Sequence, residues 1–258
     1  MSATRPLKLA LLRAVLSGVP PVPRALGLAQ HIARPLYTRT TTAPTTAWVQ
    51  GARLHLEPRQ HVDALLLFAP HLVDHAELRF LGSRLRRGSQ FIDLGSYLGW
   101  YALQLAPIVG PGGRVVCVEA HPDTAEQLTA HLRDNGLPWV EVVCDAIMPT
   151  RQPVELVLDD DTNAGSRRAQ PGGTRAATTL PALLADCGIP QADAIKTDLE
   201  GHDADVVAHT LGSLPRSRWP RSWVCESPRS EDVVSPVLRR SGYRVKRLSR
   251  LNIGAWLD

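Results

Sequence analysis

The chain has 258 residues, 44% of them hydrophobic and 21% charged, which is enough to bury a sizeable core and too ordinary for a disordered, collagen-like or disulfide-stapled protein. Its net charge of +4 rests almost wholly on arginine, with lysine only at Lys8, Lys196 and Lys246, and aromatic residues make up 5%. That balance argues against the basic, aromatic-studded surface of a nucleic-acid binder.

Four cysteines, Cys117, Cys144, Cys187 and Cys225, lack any CxxC spacing and read as small residues of a reduced compartment, three of them in buried strands. Leu9 to Leu16 is a weak apolar run interrupted by Arg13 and is not read as a signal peptide. No stretch approaches the roughly 18 apolar residues of a membrane span, so a cytoplasmic protein is expected.

In chain order, residues 1–47 read as an N-terminal cap or arm. It has helical pieces at Leu7–Leu16 and Ala25–Ile32, broken by Pro20, Pro21 and Pro23, and then a Thr-rich connector. A main domain is expected over residues 48–258. Trp48–Leu56 alternates as a strand pair around Gly51, and His61–Arg84 reads as one or two helices. From Phe91 onward strands alternate with helices, the signature of a parallel sheet with crossover connections.

Strands are expected at Gln90–Leu94, Arg114–Glu119, Val140–Cys144, Ala194–Asp198 and Ser222–Glu226, with Arg244–Leu248 and Ile253–Leu257 forming an antiparallel edge hairpin. Asp123 is expected to cap a helix that runs towards Asn135 and Gly136, and Thr179 to cap Leu180–Cys187 before Gly188. The polar stretch Asp159–Thr178 has no periodicity and reads as a lid-like loop. The basic run Arg239–Arg250 reads as the solvated face of a terminal helix and strand.

Chemistry concentrates at two strand ends. The first strand closes in Asp93-Leu94-Gly95-Ser96-Tyr97-Leu98-Gly99 and runs into an apolar helix from Trp100. Its glycines permit tight turning and close ligand approach, and the helix N-terminus carries N–H donors. Tyr97 stands where a dinucleotide fingerprint needs its second glycine, so the loop points away from a pyrophosphate and from NAD. Glu119, followed by Ala120, ends the second strand, where a carboxylate can accept both hydroxyls of a ribose. Asp145, after the third, can accept from an adenine amino group, although an acidic residue in a turn is as often a loop former.

The second constellation is Lys196-Thr197-Asp198-Leu199-Glu200-Gly201-His202. Asp198 and Glu200 alternate on an extended chain and so point the same way, each a candidate general base. The plainer reading has one carboxylate capping the next helix and the other paired with an arginine. His202 is a third catalytic candidate, although a histidine before a helix is more often solvated. Glu226 would extend an acidic rim. Three carboxylates raise the idea of a divalent cation, but the spacing matches no metal motif, so no metal ligands are assigned. His71 and His75, four apart, have no zinc-site glutamate and read as surface or packing residues.

Over roughly Trp48 to Leu257 the chain resembles the FkbM family of methyltransferases. The carriers are FIDLGSYLGWYAL, VVCVEAHPDTAEQL, TTLPALLADCGIPQADAIKTDLEGHD and WVCESP, in that order. The resemblance implies a Rossmann-like class I methyltransferase fold, an α/β protein with a seven-stranded, mostly parallel sheet. It also implies S-adenosylmethionine as cofactor, S-adenosylhomocysteine as product, and transfer to oxygen on secondary metabolites. Asp93, Gly95, Gly99 and Glu119 would then bind the cofactor, beside Ser96, Tyr97, Ala120 and Asp145. Asp198, Glu200 and Gly201 would line the cleft. Ser96-Tyr97-Leu98 departs from the commoner small residue, asparagine and isoleucine.

The expected partner is a small hydroxylated or carboxylated methyl acceptor, with no nucleic acid and no membrane span, and with homo-oligomerisation left open. The rivals are an N-directed or carboxyl-directed methyltransferase on a peptide or amine, a non-catalytic nucleoside-binding module, and an NAD-dependent oxidoreductase.

Overall fold

The computed structural model describes residues 43–158 and 164–258. The helical pieces expected before residue 33 and the first part of the expected lid, residues 159–163, lie outside the described residues. Contacts divide the chain into two units with a boundary at His75/Ala76, later in sequence than the boundary at residue 47 expected from composition.

In the first unit, β1 (Thr45–Val49) and β2 (Ala52–Leu56) form the antiparallel pair expected around Gly51. Gln50 and Gly51 both take positive φ, 45° and 84°, as a two-residue hairpin turn matched to strand twist requires. Helix α1 (His61–Phe68) contacts both strands, and Leu54, Leu56, Leu66 and Leu67 are fully buried. The buried Asp63 carboxylate accepts the Glu57 N–H at 2.8 Å. A 3₁₀ turn, Pro70–Leu72, and then Asp74 at φ 49° break the helical run, so His71 and His75 share no helix.

The second unit contains most of α2 (His75–Gly82) and a seven-stranded sheet. The sheet is built from β3 (Gln90–Leu94), β4 (Arg114–Val118), β5 (Glu141–Val143), β10 (Ala194–Thr197), β11 (Ser222–Glu226), β12 (Arg244–Arg247) and β13 (Asn252–Trp256). Its order is β12-β13-β11-β10-β3-β4-β5. Neighbours from β11 to β5 are parallel, and β13 runs antiparallel to both β11 and β12. All seven strands fall within a residue or two of the expected ranges. The buried parallel strands among them are legible as largely apolar runs, and the antiparallel edge pair β12–β13 from its position after the last of these.

Helix α3 (Trp100–Val109) contacts β3 and β4, and α4 (Pro122–Asp134) contacts β5. Helices α5 (Leu180–Asp186), α6 (Asp203–Ser213) and α7 (Val234–Arg240) share one core with alternate strand residues. There Ile92, Leu94, Val116, Val118, Ile195, Trp223 and Cys225 meet Leu183, Leu184, Val206, Val207, Leu211 and Leu238. The Thr179 hydroxyl caps α5, accepting the Ala182 N–H at 3.4 Å. Asp123 is not a cap: Pro122 occupies the first turn, where its missing N–H costs nothing, and the capping position falls to His121.

Two further expectations are corrected. The stretch read as structureless contains β8 (Arg167–Pro171), which pairs antiparallel with β7 (Val154–Leu158). The short β9 (Ala177–Thr178) then pairs parallel with β6 (Ala146–Ile147). Cross-strand pairing, not an apolar pattern of its own, makes the polar segment RRAQP a strand. Among the cysteines, Cys117, Cys187 and Cys225 are buried, while Cys144, read as a strand residue, is exposed just past the end of β5. In the basic run, Arg239, Arg240, Arg244, Lys246 and Arg250 are exposed as expected, and Arg247 pairs with Asp232 at 2.8 Å.

Candidate active site

Strand order reverses between β3 and β10, and the cleft beyond the carboxyl ends of such strands is where open α/β sheets bind ligands. Both constellations picked out from the sequence lie there.

The glycine loop leaves β3 with Gly95 at φ 72°, Tyr97 at φ 47° and Gly99 at φ 80°, left-handed conformations that cost the two glycines little and are uncommon for a residue such as Tyr97. The glycines admit protein atoms as well as the expected ligand. A Cβ at Gly95 would overlap the Asp198 carbonyl oxygen, and one at Gly99 would overlap Leu128 Cδ1 of α4. The loop's donors are also partly spent. Gly95 and Ser96 N–H both reach the Val118 carbonyl at 3.0 Å, Gly99 N–H reaches Ser96 O at 2.8 Å, and Ser96 Oγ donates to Asp93 O at 2.7 Å. The helix start is therefore less open to a ligand than its sequence implies.

Glu119 stands one residue beyond β4 and is partly buried. Its Oε2 accepts the Tyr97 N–H at 3.0 Å, and its Oε1 accepts the His121 N–H at 2.9 Å. Burial raises its pKa, and the two backbone bonds oppose that rise. One carboxylate thus pins the glycine loop to the next strand end, while each oxygen keeps a second lone pair. Asp145 lies beyond β5, where burial raises its pKa against the Ala146 N–H, Arg151 and Arg175. Together with Cys144, Val154, Glu155 and residues 173–176 it lines a cavity of about 640 Å³. Arg175 ties that wall to the sheet, donating to the Ala120 carbonyl at 3.0 Å. Sequence reasoning assigned Asp145 and Ala120 to the site but missed Arg175, which sits in the stretch read as structureless.

At the end of β10 the structure assembles an acid cluster. Glu200, at φ 50°, is pushed up to about 7 by burial, Asp198 and Asp203. Glu226, at the end of β11, is pushed up to about 8 by burial, Asp198, Glu200 and Asp203. Among the described residues no side chain caps α6, so the capping foreseen for Asp198 or Glu200 is not made; Asp203, the first residue of the helix, instead ties it back to the end of β10. It accepts the Thr197 hydroxyl and, at 3.1 Å, the Leu199 N–H, and burial lifts it to about 6.

His202, expected among the catalytic residues, uses its Nε2–H on the Ala169 carbonyl at 2.7 Å. A carbonyl only accepts, so this ring nitrogen is a donor that latches β8. Lys196, given no role from sequence, is 5% exposed and lies between Asp93 Oδ1 at 3.7 Å and Asp198 Oδ2 at 3.5 Å. Asp93 itself is fully buried, and its pKa is raised by desolvation and lowered by Lys196. Among the described residues, no group of three or more His, Cys, Asp or Glu side chains is arranged to hold a metal ion.

The strand order, the reversal at β3/β10, the glycine loop and the acidic end of β4 define the Rossmann-like fold of S-adenosylmethionine-dependent methyltransferases. No protein-family model matches the chain. Among curated proteins it is similar to the protein-L-isoaspartate O-methyltransferase of Ignicoccus hospitalis, 33% identical over 75 residues, which are 29% of this chain and 34% of that one. It is also similar to that of Methanococcus aeolicus, 33% identical over 60 residues, 23% of this chain and 28% of the relative. The chain thus spans about a third or less of the length of these relatives. Among solved structures it is similar to a precorrin-6y C5,15-methyltransferase from Geobacter metallireducens, with TM-score 0.47, 13% identity, and 71% of this chain and 86% of that one covered. Fibrillarin from Aeropyrum pernix, solved with S-adenosyl-L-methionine, gives TM-score 0.44 and 13% identity over 70% and 73%.

Proposed function

We propose that the chain is an S-adenosylmethionine-dependent O-methyltransferase of FkbM type, acting in the cytoplasm on a small hydroxylated acceptor of secondary metabolism. The observation that carries this reading is the pair Glu200 and Glu226. These are partly buried carboxyls held near neutral pH in the acid cluster whose first member, Asp198, abuts Gly95 of the glycine loop, and general-base catalysis on a hydroxyl acceptor needs such a group.

The residues present fit the cofactor. Glu119 keeps lone pairs for ribose hydroxyls, and Asp145, in the wall of the separate cavity beyond β5, is available to an adenine amino group. Gly95, Ser96, Tyr97 and Gly99 shape the loop that Glu119 pins, and Arg175, in the wall of the cavity, donates to the Ala120 carbonyl. When bound, the cofactor supplies an electrophilic methyl group on a sulfonium, so no nucleophile–base triad is required.

This chain's own residues then align the acceptor and take its proton. Asp198, held by Lys196, orients the hydroxyl, and Glu200 accepts the proton as the oxygen–carbon bond forms. His202 acts indirectly, keeping β8 in place. A carboxylate acceptor, the kind named in the curated relatives, arrives already deprotonated and would meet Asp198, Glu200, Asp203 and Glu226, against which Lys196 and Arg168 are the opposing cations at Glu200. That electrostatic mismatch favours a neutral hydroxyl.

The test supplies S-adenosylmethionine with a panel of polyhydroxylated small molecules and, separately, an isoaspartyl peptide, and measures S-adenosylhomocysteine formed. Turnover of a hydroxylated acceptor is expected, with Glu200→Gln lowering kcat about 100-fold or more at unchanged S-adenosylhomocysteine affinity. Turnover of the isoaspartyl peptide alone, indifferent to Glu200→Gln, would contradict the reading.

A further inference from the structure

Lys196 is a lysine in the middle of a buried strand, AIKT, and lysine is almost never buried without a partner. The parallel ladder sets it directly opposite Asp93 on β3 and Val224 on β11, and Asp93 in turn opposite Cys117 on β4. Cys117 and Val224 offer no countercharge. Both Asp93 oxygens lack a hydrogen-bond partner among the described residues, so the ammonium 3.7 Å away is what compensates a fully buried carboxylate. An unpaired buried charge is far costlier than a paired one.

The same ammonium donates to the Gly95 carbonyl at 2.8 Å and the Leu94 carbonyl at 3.4 Å, and it sits 5.2 Å above the Tyr101 ring. It also lies 3.5 Å from Asp198, the first member of the acid cluster. One side chain therefore touches the strand that enters the cofactor loop, the loop itself, the first turn of α3 and the acceptor edge.

We propose that Lys196 is a positioning residue that couples the two halves of the site: its ammonium fixes the Leu94-Gly95 turn for cofactor binding and supplies the positive charge that lets the neighbouring carboxylates ionise. This rests on the function proposed above. The groups facing Glu200 are Asp198, Asp203, Lys196 and Arg168. Those facing Glu226 are Asp198, Glu200, Asp203 and Lys196. Lys196 opposes a rise at both, and it is the leading cation acting on Glu226.

The experiment reads two quantities that need no acceptor. These are the carboxyl titration midpoints of Glu200 and Glu226, followed by carbon-13 NMR, and the S-adenosylhomocysteine affinity, measured by calorimetry. Lys196→Met is expected to raise both midpoints, Glu226 more than Glu200, and to weaken binding about tenfold or more. Lys196→Arg keeps the charge and restores the midpoints. Its planar guanidinium cannot place one donor against both carbonyls, so binding stays weakened. Unmoved midpoints in a folded Lys196→Met protein would reduce Lys196 to a structural residue and overturn the proposal. If that variant does not fold, Lys196→Arg carries the test, and wild-type affinity in it overturns the proposal. Wild-type protein that binds no S-adenosylhomocysteine refutes the cofactor assignment instead, and the midpoint arm still decides the coupling.

Discussion

The two halves of the cleft are built on different physics. The cofactor half, from β3 to Glu119, is locked by covalent geometry. Positive φ at Gly95, Tyr97 and Gly99 and a chain of backbone hydrogen bonds fix it, and Glu119 closes it with two more. The acceptor half, from Asp198 to Glu226, is set by charge, with four carboxyls sharing the field of Lys196. The first half should fail abruptly when an atom is added. The second should respond gradually to charge and pH.

The largest effect is expected from Gly95→Ala. Its Cβ meets backbone at Asp198, which cannot move without disturbing β10, so unfolding free energy should drop by at least ~3 kcal/mol in a denaturant titration. Gly99→Ala should be milder, because its Cβ meets the far end of the flexible Leu128 side chain. Equal losses would break the contrast between a backbone clash and a side-chain clash.

On the acceptor side the sharpest probe is Glu226→Gln. A carboxyl raised from 4.5 to about 8 on folding favours its neutral form, so the wild-type fold loses stability as pH rises through that window. The variant should match wild type near the lower limit and exceed it above the upper one. The gain should be on the order of 1 kcal/mol, after solvent screening of a partly exposed group, and thermal melts across pH would read it. A variant destabilised at high pH would show that Glu226 is stabilised as an anion. The smallest effect belongs outside the cleft: Thr179→Ala removes a long capping bond and should cost about 0.5 kcal/mol in the same melts, without changing cofactor affinity.

The cofactor half was legible because its signals are local. The apolar run FIDL, two glycines and a glutamate about twenty residues on carry their own geometry. The acceptor half was legible only in part. Asp198, Glu200 and Glu226 could be named from strand ends, but Asp203 as the acid that ties α6 to the end of β10 and Lys196 as the shared cation depend on tertiary neighbours. A lysine inside an otherwise apolar strand was the available clue. The β7–β8 hairpin was illegible for the same reason: Arg167–Pro171 becomes a strand only by pairing with Val154–Leu158, and that pairing carries the carbonyl that engages His202.

The central claim is that the Gly95–Glu119 edge holds a nucleoside sulfonium cofactor. Calorimetric titration with S-adenosylmethionine and S-adenosylhomocysteine, beside NAD, tests it most directly in wild type and Glu119→Ala. Micromolar binding of the first two is expected, at least about tenfold weaker in the variant. Tight NAD binding, or affinity indifferent to Glu119, would contradict it.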